Sequence, residues 1–268
     1  MNDFFERPSR GKAQPDFRKA RASVRRVFSQ VVKYPLAMVY GAEECLSCGR
    51  TTLAVPVCAK CREKLKNYVR LNSEGRCSKC GRLLISEIGI CMECRERAFL
   101  SSLDALYPLH SYRQWKKDLV FAWKIEGQRR LSPLFADLLH KALRELDLEK
   151  APVVPVPPRA DKLRKTGWDQ VAELSRLLSK RHGVEILNAL ERRDCVQQKK
   201  LNREERLGTS GALYELLPKF KEGFKNPAKK IVLLDDIVTT GSTMEKCAWL
   251  LRKAGAEKVY GLALFSGR

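Results

Sequence analysis

Apolar positions change their period along this chain. From Leu103 onward they alternate between short unbroken runs and helical stripes, whereas the stretch from Cys45 to Cys94 shows neither. Leu103 to Tyr112 reads as a strand. Trp115 to Ile125 reads as a helix with Leu119, Val120, Trp123 and Lys124 on one face, and Gly127 is placed to end it. Leu134 to Leu146 is the next helical stripe. Val153-Val154-Pro155-Val156-Pro157-Pro158 is a strand running into a rigid turn, because prolines are tolerated at strand ends. Trp168 to Lys180 is helical, with Val171, Leu174, Leu177 and Leu178 inward. After Val184 to Leu190, the polar stretch Arg192 to Thr209 has no apolar periodicity and predicts a long loop of functional kind. Ile231 to Leu234 suits a short buried strand, Met244 to Ala254 an amphipathic helix, and Lys258 to Phe265 a last strand. Strands alternating with helices predict an α/β fold, with a parallel sheet covered by helices on both faces.

Upstream of this pattern the chain divides twice more. Residues 1–40 are basic, and their first half, with Pro8, Gly11 and Pro15, has the composition of a disordered segment. Between Arg21 and Lys33, Val24, Val27, Phe28, Val31 and Val32 recur at helical spacing, predicting a short basic helix that stops before Pro35. Docking on its own domain is the preferred reading of that helix; a membrane surface or a phosphate backbone is the alternative.

Residues 41–100 carry an internal repeat, and residues 101–268 form the α/β domain. Cys45-Leu46-Ser47-Cys48-Gly49-Arg50 is echoed by Cys77-Ser78-Lys79-Cys80-Gly81-Arg82, and Cys58-Ala59-Lys60-Cys61 by Cys91-Met92-Glu93-Cys94. Eight of the 10 cysteines thus fall in four Cys-x-x-Cys pairs, while Cys195 and Cys247 stand apart. Each repeat supplies four thiolates, enough to close one tetrahedral Zn²⁺ site with no open position, so both ions are expected to be structural. The glycine after each first knuckle suits a turn that needs positive φ. Ligation within repeats is the first expectation: Cys45, Cys48, Cys58 and Cys61 on one ion, Cys77, Cys80, Cys91 and Cys94 on the other. Interleaved ligation and an iron–sulfur cluster are the alternatives.

The formal charge of +21 attracts polyanions, with nucleic acid ahead of anionic lipid; a merely basic, soluble surface is the plainer account. Lys and Arg outnumber Asp and Glu by 9 to 5 over residues 1–44, 11 to 5 over 45–100 and 32 to 21 beyond, so no single tail accounts for the excess. The arginine-rich start has no apolar h-region and no stretch is long enough to span a bilayer. A reducing cytoplasm is therefore the expected location, and there tandem cysteine pairs mean metal rather than disulfides.

Candidate chemistry concentrates in Lys230 to Thr243, where an apolar strand is followed by Asp235 and Asp236 and then by Thr239, Thr240, Gly241, Ser242 and Thr243. Open α/β sheets bind ligands at the carboxyl ends of their strands. A hydroxyl-rich turn with one free glycine, followed by a helix N-terminus, converges backbone N–H groups on an anion. A plain βα corner with an Asp or Ser cap is the alternative. No G-x-G-x-x-G turn follows any strand, which argues against a nicotinamide dinucleotide.

This segment resembles the phosphoribosyl pyrophosphate (PRPP) motif of type I phosphoribosyltransferases. Together with the double cysteine repeat it makes residues 40–268 similar to the ComF/GntX family, named for DNA uptake in competent bacteria. Further residues carry the likeness: Trp123-Lys124 with Gly127, Val154 to Pro157, Arg164, Gly167 to Gln170, and Gln198 with Leu201-Asn202-Arg203 and Arg206. The resemblance implies a double zinc ribbon before a phosphoribosyltransferase-like domain. It also implies that Asp235 and Asp236 take ribose hydroxyls and that Thr239 to Thr243 cradle a 5′-phosphate. Pyrophosphate would meet the loop at Pro157, Pro158 and Arg159, with Mg²⁺, while Gln198 to Arg206 would close over the site. Arg159, Arg164, Arg203 and Arg206 are the candidate pyrophosphate contacts. Two departures stand out. The family pattern Arg-Gly-Phe-Asn-Gln is here Thr166-Gly167-Trp168-Asp169-Gln170, and Asp169 near a pyrophosphate would weaken binding unless it faces solvent or Mg²⁺. Thr239 stands where hypoxanthine-type salvage enzymes place a general-base Asp, which argues against a 6-oxopurine acceptor.

Two functions follow as expectations. One is a competence-type protein that binds PRPP or a related phosphoribosyl ligand and single-stranded DNA, working with the DNA-uptake or helicase machinery. Tyr112, Trp115, Trp123 and Trp168 lie near basic residues as stacking candidates, although Trp123 reads better as core. The other is an active phosphoribosyltransferase with an unidentified acceptor, for which no catalytic acid or base can be named.

Overall fold

The two halves of the cysteine repeat fold alike. The computed structural model describes residues 42–53, 55–67, 75–96, 100–111, 115–158, 167–192, 214–224 and 230–267. In the first half β1 (Ala42–Glu44) pairs antiparallel with β2 (Thr51–Leu53), and α1 (Ala59–Asn67) follows. In the second, Arg76 bridges Leu83 antiparallel and the short α2 (Met92–Glu96) takes the place of α1. The knuckle hydrogen bonds repeat too: Cys45 N–H donates to Arg50 O at 2.7 Å and Cys77 N–H to Arg82 O at 2.8 Å. Gly49 and Gly81 both adopt φ of 68°, the left-handed conformation their position required.

Beyond the repeat, β3 (Ala105–Ser111) leads to α3 (Trp115–Lys124), and α4 (Ser132–Glu145) precedes β4 (Val153–Pro155). α5 (Gln170–His182) begins at Asp169, whose carboxylate accepts from Ala172 N–H at 2.7 Å, and ends at left-handed Gly183. A short antiparallel ribbon, β5 (Leu190–Arg192) with β6 (Tyr214–Leu216), comes next. β7 (Lys230–Val238), α6 (Ser242–Lys253) and β8 (Lys258–Ser266) complete the described chain. Most boundaries lie within two residues of those expected; Tyr112 and residues 193–209 of the expected loop lie outside the described residues.

The sheet is parallel, in the order β3-β8-β7-β4, and Ile186 adds a parallel bridge to Val153 at the outer edge of β4. Each central strand is apolar on both sides because both faces are covered. On one face Val232, Leu234, Leu262 and Leu264 pack with Trp123, Phe135, Leu139, Leu174 and Leu178, from α3, α4 and α5. On the other, Ile231, Leu233, Val259 and Ala263 pack with Met244, Cys247, Ala248 and Leu251 of α6. The first cysteine half joins the former core through Cys45, Cys61 and Leu65, and the second joins the latter through Cys77, Cys80 and Cys91. None of the described helices is long and apolar enough to cross a membrane.

The helices that follow the adjacent strands β4 and β7 lie on opposite faces. A crevice must open between the carboxyl ends of two such strands, since neither helix can cover the gap. Asp235, Asp236 and the turn at Gly241, expected to bind ligand, lie at that point.

Candidate functional site

β7 runs further than its apolar run suggested. The strand was expected to stop at Leu234, with the carboxylates beyond it, but Asp235 and Asp236 are inside a strand that continues to Val238. The reason is β8, which keeps pairing alongside: Asp235 is opposite Ala263, Ile237 opposite Phe265 and Val238 opposite Ser266, and Gly267 N–H donates to Val238 O at 2.8 Å. On the other side support ends earlier, because the last bond from β4 is Val156 N–H to Leu234 O at 2.9 Å. Asp235 therefore sits where β7 loses one neighbour, and Pro157 and Pro158 leave the sheet beside it.

Successive strand residues face opposite ways, so the two carboxylates enter different surroundings. Asp236 is buried on the helical face that carries α3, and Lys124 Nζ lies 2.5 Å from its Oδ2. Asp235 lies on the α6 face, where its Oδ1 accepts from Asp236 N–H at 2.8 Å. Burial, followed by the charge of Asp236, pushes the Asp235 carboxyl well above the usual carboxylate range. Lys124 thus neutralises one carboxylate of the pair.

The turn after β7 has the expected shape with a shifted helix start. Thr239 and Thr240 are exposed, Gly241 is buried at φ of 85°, and α6 begins at Ser242 rather than Met244. Ser242 and Thr243 are therefore its first turn, with Ser242 N–H donating to Thr240 Oγ1 at 3.3 Å. Gly241 caps the helix without a side chain, so the amino end of α6 presents backbone and the hydroxyls of Thr240, Ser242 and Thr243, with Glu245 also in its first turn.

Two residues join this group that the sequence did not single out as site residues. Arg192 and Tyr214 are paired across the β5–β6 ribbon, with Arg192 Nη1 donating to the Tyr214 hydroxyl at 2.9 Å and the guanidinium 5.2 Å from the ring centroid. Tyr214 is buried, and burial is the main cause that raises its hydroxyl above the usual value, with the charge of Arg192 lowering it and that of Asp235 raising it. Polarity alone could not have marked them, since neither belongs to a motif. The signal available was that Arg192 opens the long polar stretch and Tyr214 is the first aromatic residue after it.

Other expected participants divide plainly. Arg159, Arg164, Gln198, Arg203 and Arg206 lie outside the described residues. Asp169 is buried and its carboxylate caps α5, a role that Asp and Asn fill equally well. The stacking role expected of Trp168 does not hold, and Trp123 is core as the periodicity indicated. Trp123 is fully buried, Trp168 is 8% exposed, and their rings meet edge-on at 6.0 Å. Tyr112 and the Trp115 side chain lie outside the described residues.

Both cysteine sets gather as within-repeat ligation requires. Cys45, Cys48, Cys58 and Cys61 form one cluster and Cys77, Cys80, Cys91 and Cys94 another, each with its four sulfur atoms within 4.8 Å of one another. A tetrahedral Zn²⁺ with Zn–S bonds of about 2.3 Å separates its sulfurs by about 3.8 Å. Cys48 and Cys58 are 3.8 Å apart and Cys80 and Cys91 are 3.7 Å apart. The N–H groups of Cys58 and Cys91 donate to Cys45 Sγ at 3.3 Å and Cys77 Sγ at 3.4 Å, as thiolate ligands need. The donor set thus fits a tetrahedral, sulfur-preferring ion.

Known proteins resemble the chain over the same regions. Residues 196–268 match the family model described as a phosphoribosyl transferase domain. The chain is 30% identical over 233 residues to competence protein ComFC of Streptococcus pneumoniae, covering 82% of this chain and 99% of that protein. It is 27% identical over 217 residues to competence protein F of Haemophilus influenzae, covering 77% and 90%. Among solved structures, Leishmania donovani UMP synthase aligns with a TM-score of 0.31 at 21% identity, over 52% of this chain and 24% of that one. The glutamine PRPP amidotransferase of B. subtilis, complexed with ADP and GMP, aligns with a TM-score of 0.35 at 21% identity, over 52% and 27%. The chain spans about a quarter of the length of these two structures.

Proposed function

We propose, for a chain that belongs to the ComF family, that the tip of β7 and the turn after it bind PRPP or a related phosphoribosyl ligand, in a protein that handles single-stranded DNA during uptake. One observation carries the ligand: Asp235, Asp236 and the left-handed Gly241 turn meet at the crevice where β4 and β7 send their helices to opposite faces. Hydroxyls of a ribose suit Asp235, because a buried carboxylate with a raised pKa gains most from donors. The amino end of α6 with Thr239 to Thr243 suits the 5′-phosphate, through N–H groups and the helix dipole. Pro157, Pro158 and Arg159 would border pyrophosphate, and the chain from Arg192 to Tyr214, with Gln198, Arg203 and Arg206, starts and returns beside the site. Mg²⁺ arriving with PRPP would neutralise the pyrophosphate, and Asp235 is the carboxylate available to it because Asp236 is held by Lys124. Both four-cysteine clusters are assigned to structural Zn²⁺.

Competence proteins among the relatives, and the +21 charge, support the nucleic-acid part of the reading. With Trp123 and Trp168 in the core, Trp249 of α6 is the better stacking group: it is 49% exposed and Lys253 Nζ stands 3.9 Å from its ring centroid. Calorimetry with PRPP and Mg²⁺ on zinc-loaded protein tests the ligand, and absence of heat would sink it. Oligonucleotide binding titrated against salt tests the second part. It should weaken linearly in log–log form, and no binding at low salt would reject DNA as a partner.

The phosphoribosyl transferase domain match supports a second reading, transfer of ribose 5-phosphate to an acceptor. In that case closure over the site would exclude water while pyrophosphate leaves. Pyrophosphate release across a panel of nucleobases, abolished by Asp235→Asn, would favour the enzyme; bound PRPP without release would favour the binding protein.

A further inference from the structure

A groove of about 890 Å³ separates the first cysteine half from α4, with α1 on one wall and α4 on the other. That volume lies toward the upper end of the range for ligand sites. Its floor is apolar: Val55, Pro56 and Val57 come from the segment before α1, and Pro133 and Leu134 from the first turn of α4. Val57 and Leu134 belong to the core beneath α4 and α5, which fixes the floor in place. Two contacts hold the walls together. Arg130 Nη2 lies 2.5 Å from Glu43 Oε1 of β1, and Lys141 Nζ donates to Lys66 O at 2.9 Å.

The rim is basic. Arg62 and Lys66 stand one turn apart on α1, Arg130 and Lys141 lie on the α4 side, and Arg181 lies near the end of α5, against the carboxylates of Glu63 and Asp137. Arg62 and Lys66 are exposed, and their side chains make no ion pair among the described residues. The other three cations are paired: Arg130 with Glu43, Lys141 with Glu145 at 3.4 Å, and Arg181 with Asp137 at 3.1 Å. Those three bridges are half-exposed, where an ion pair contributes little and yields readily to a new carboxylate. A guanidinium, with five donors, can also serve two acids at once.

We propose that the groove between α1 and α4 docks an acidic peptide segment of a partner protein, with carboxylates on the basic rim and apolar side chains on the floor. Charge complementarity selects the acids, and the floor of Val55, Pro133 and Leu134 selects the apolar residues between them. Phosphates of a nucleic acid would meet the same rim, but among the described residues no aromatic side chain lines the groove to stack a base. The chain's own first residues have the wrong sign, since Lys and Arg outnumber Asp and Glu by 9 to 5 over residues 1–44, and a second copy would bring a further charge of +21. Docking here rests on neither the phosphoribosyl ligand of β7 nor bound DNA.

Fluorescence anisotropy of the zinc-loaded full chain tests this with a pool of short labelled peptides that alternate Asp or Glu with Leu, Ile or Phe. The acidic pool should bind saturably, and the same pool with Asn and Gln in place of the acids at least about tenfold more weakly. Arg62→Glu combined with Lys66→Glu should weaken the acidic pool by about tenfold or more. Lys219→Glu combined with Lys258→Glu makes the same change of net charge at exposed lysines that do not line the groove, and should alter binding by less than about twofold. A benzophenone-bearing member of the pool should cross-link to residues 55–67 and 130–141. No binding by the acidic pool, equal binding by the amide pool, equal losses in the two double variants or cross-links elsewhere would overturn the proposal. So would oligothymidylate that displaces the peptides and is itself released by Arg62→Glu with Lys66→Glu, because the groove would then be a path for nucleic acid. Should the variants fail to fold, the comparison of pools and the cross-links on the wild-type chain still decide it.

Discussion

Among single residues, Asp235 is where function and stability pull apart. The folded chain holds its proton more tightly than the unfolded chain, because burial and Asp236 raise its pKa. The stabilisation from that proton is fully present below the unfolded value of 3.8 and is lost as pH rises through the folded value. Asp235→Asn should therefore raise Tm by about 3 °C near pH 8 and abolish PRPP binding, with the thermal gain shrinking as pH falls. A lower Tm at that pH would contradict the burial argument. Asp236 is different despite its adjacency, since Lys124 at 2.5 Å compensates it. Adjacent acidic residues were visible in the sequence, but their separation onto opposite faces follows only from the strand continuing through them.

Between elements, two contacts tie the site to pieces of chain far away in sequence. Glu245, in the first turn of α6, accepts from Ser101 N–H at 3.0 Å, Ser101 hydroxyl at 2.8 Å, Ser102 N–H at 2.6 Å and Leu103 N–H at 3.2 Å. The segment that leaves the cysteine repeat is thereby fastened to the helix that follows the Gly241 turn. Glu245→Ala should cost about 2 kcal/mol in urea unfolding, because it removes a charged acceptor from several donors at once, two of them part-buried N–H groups. The β5–β6 ribbon makes the second tie, since β6 packs against α6 and Arg192 holds the Tyr214 hydroxyl. Tyr214→Phe should weaken PRPP binding about tenfold, the effect of one lost hydrogen bond, while circular dichroism stays unchanged; unaltered affinity would remove the ribbon from the site. Periodicity located these helices and strands to within a few residues because their apolar stripes are unbroken. It failed at the ends of β7 and α6, where pairing with β8 and the Gly241 turn decide the boundary.

Across the molecule as a whole, the cysteine halves are extensions of the main cores rather than appendages. Cys45, Cys61 and Leu65 pack with the α4–α5 face and Cys77, Cys80 and Cys91 with the α6 face. Chelating the metal should therefore shift the unfolding of the entire chain, by about 4 kcal/mol or more, as loss of a structural ion does. Metal analysis should find two zinc ions per chain. Cys48→Ser and Cys58→Ser should each lose the same one, and Cys80→Ser the other; loss of both ions in any single variant would mean that the sites are coupled. Zinc should also be released as pH falls, since its thiolates must be deprotonated to bind.

Order along the chain was enough to specify the repeat of four-cysteine sets, the parallel α/β class and the acidic strand end with its glycine turn. Each of these rests on local spacing, and local spacing is what a chain writes directly. Folding in three dimensions was needed to establish that Lys124 compensates Asp236, that Asp169 caps a helix, that Trp168 is buried, and that the Arg192–Tyr214 ribbon packs against α6. Those outcomes depend on which face of the sheet each helix covers and on how far a neighbouring strand keeps pairing, and both are set by packing between segments distant in the chain.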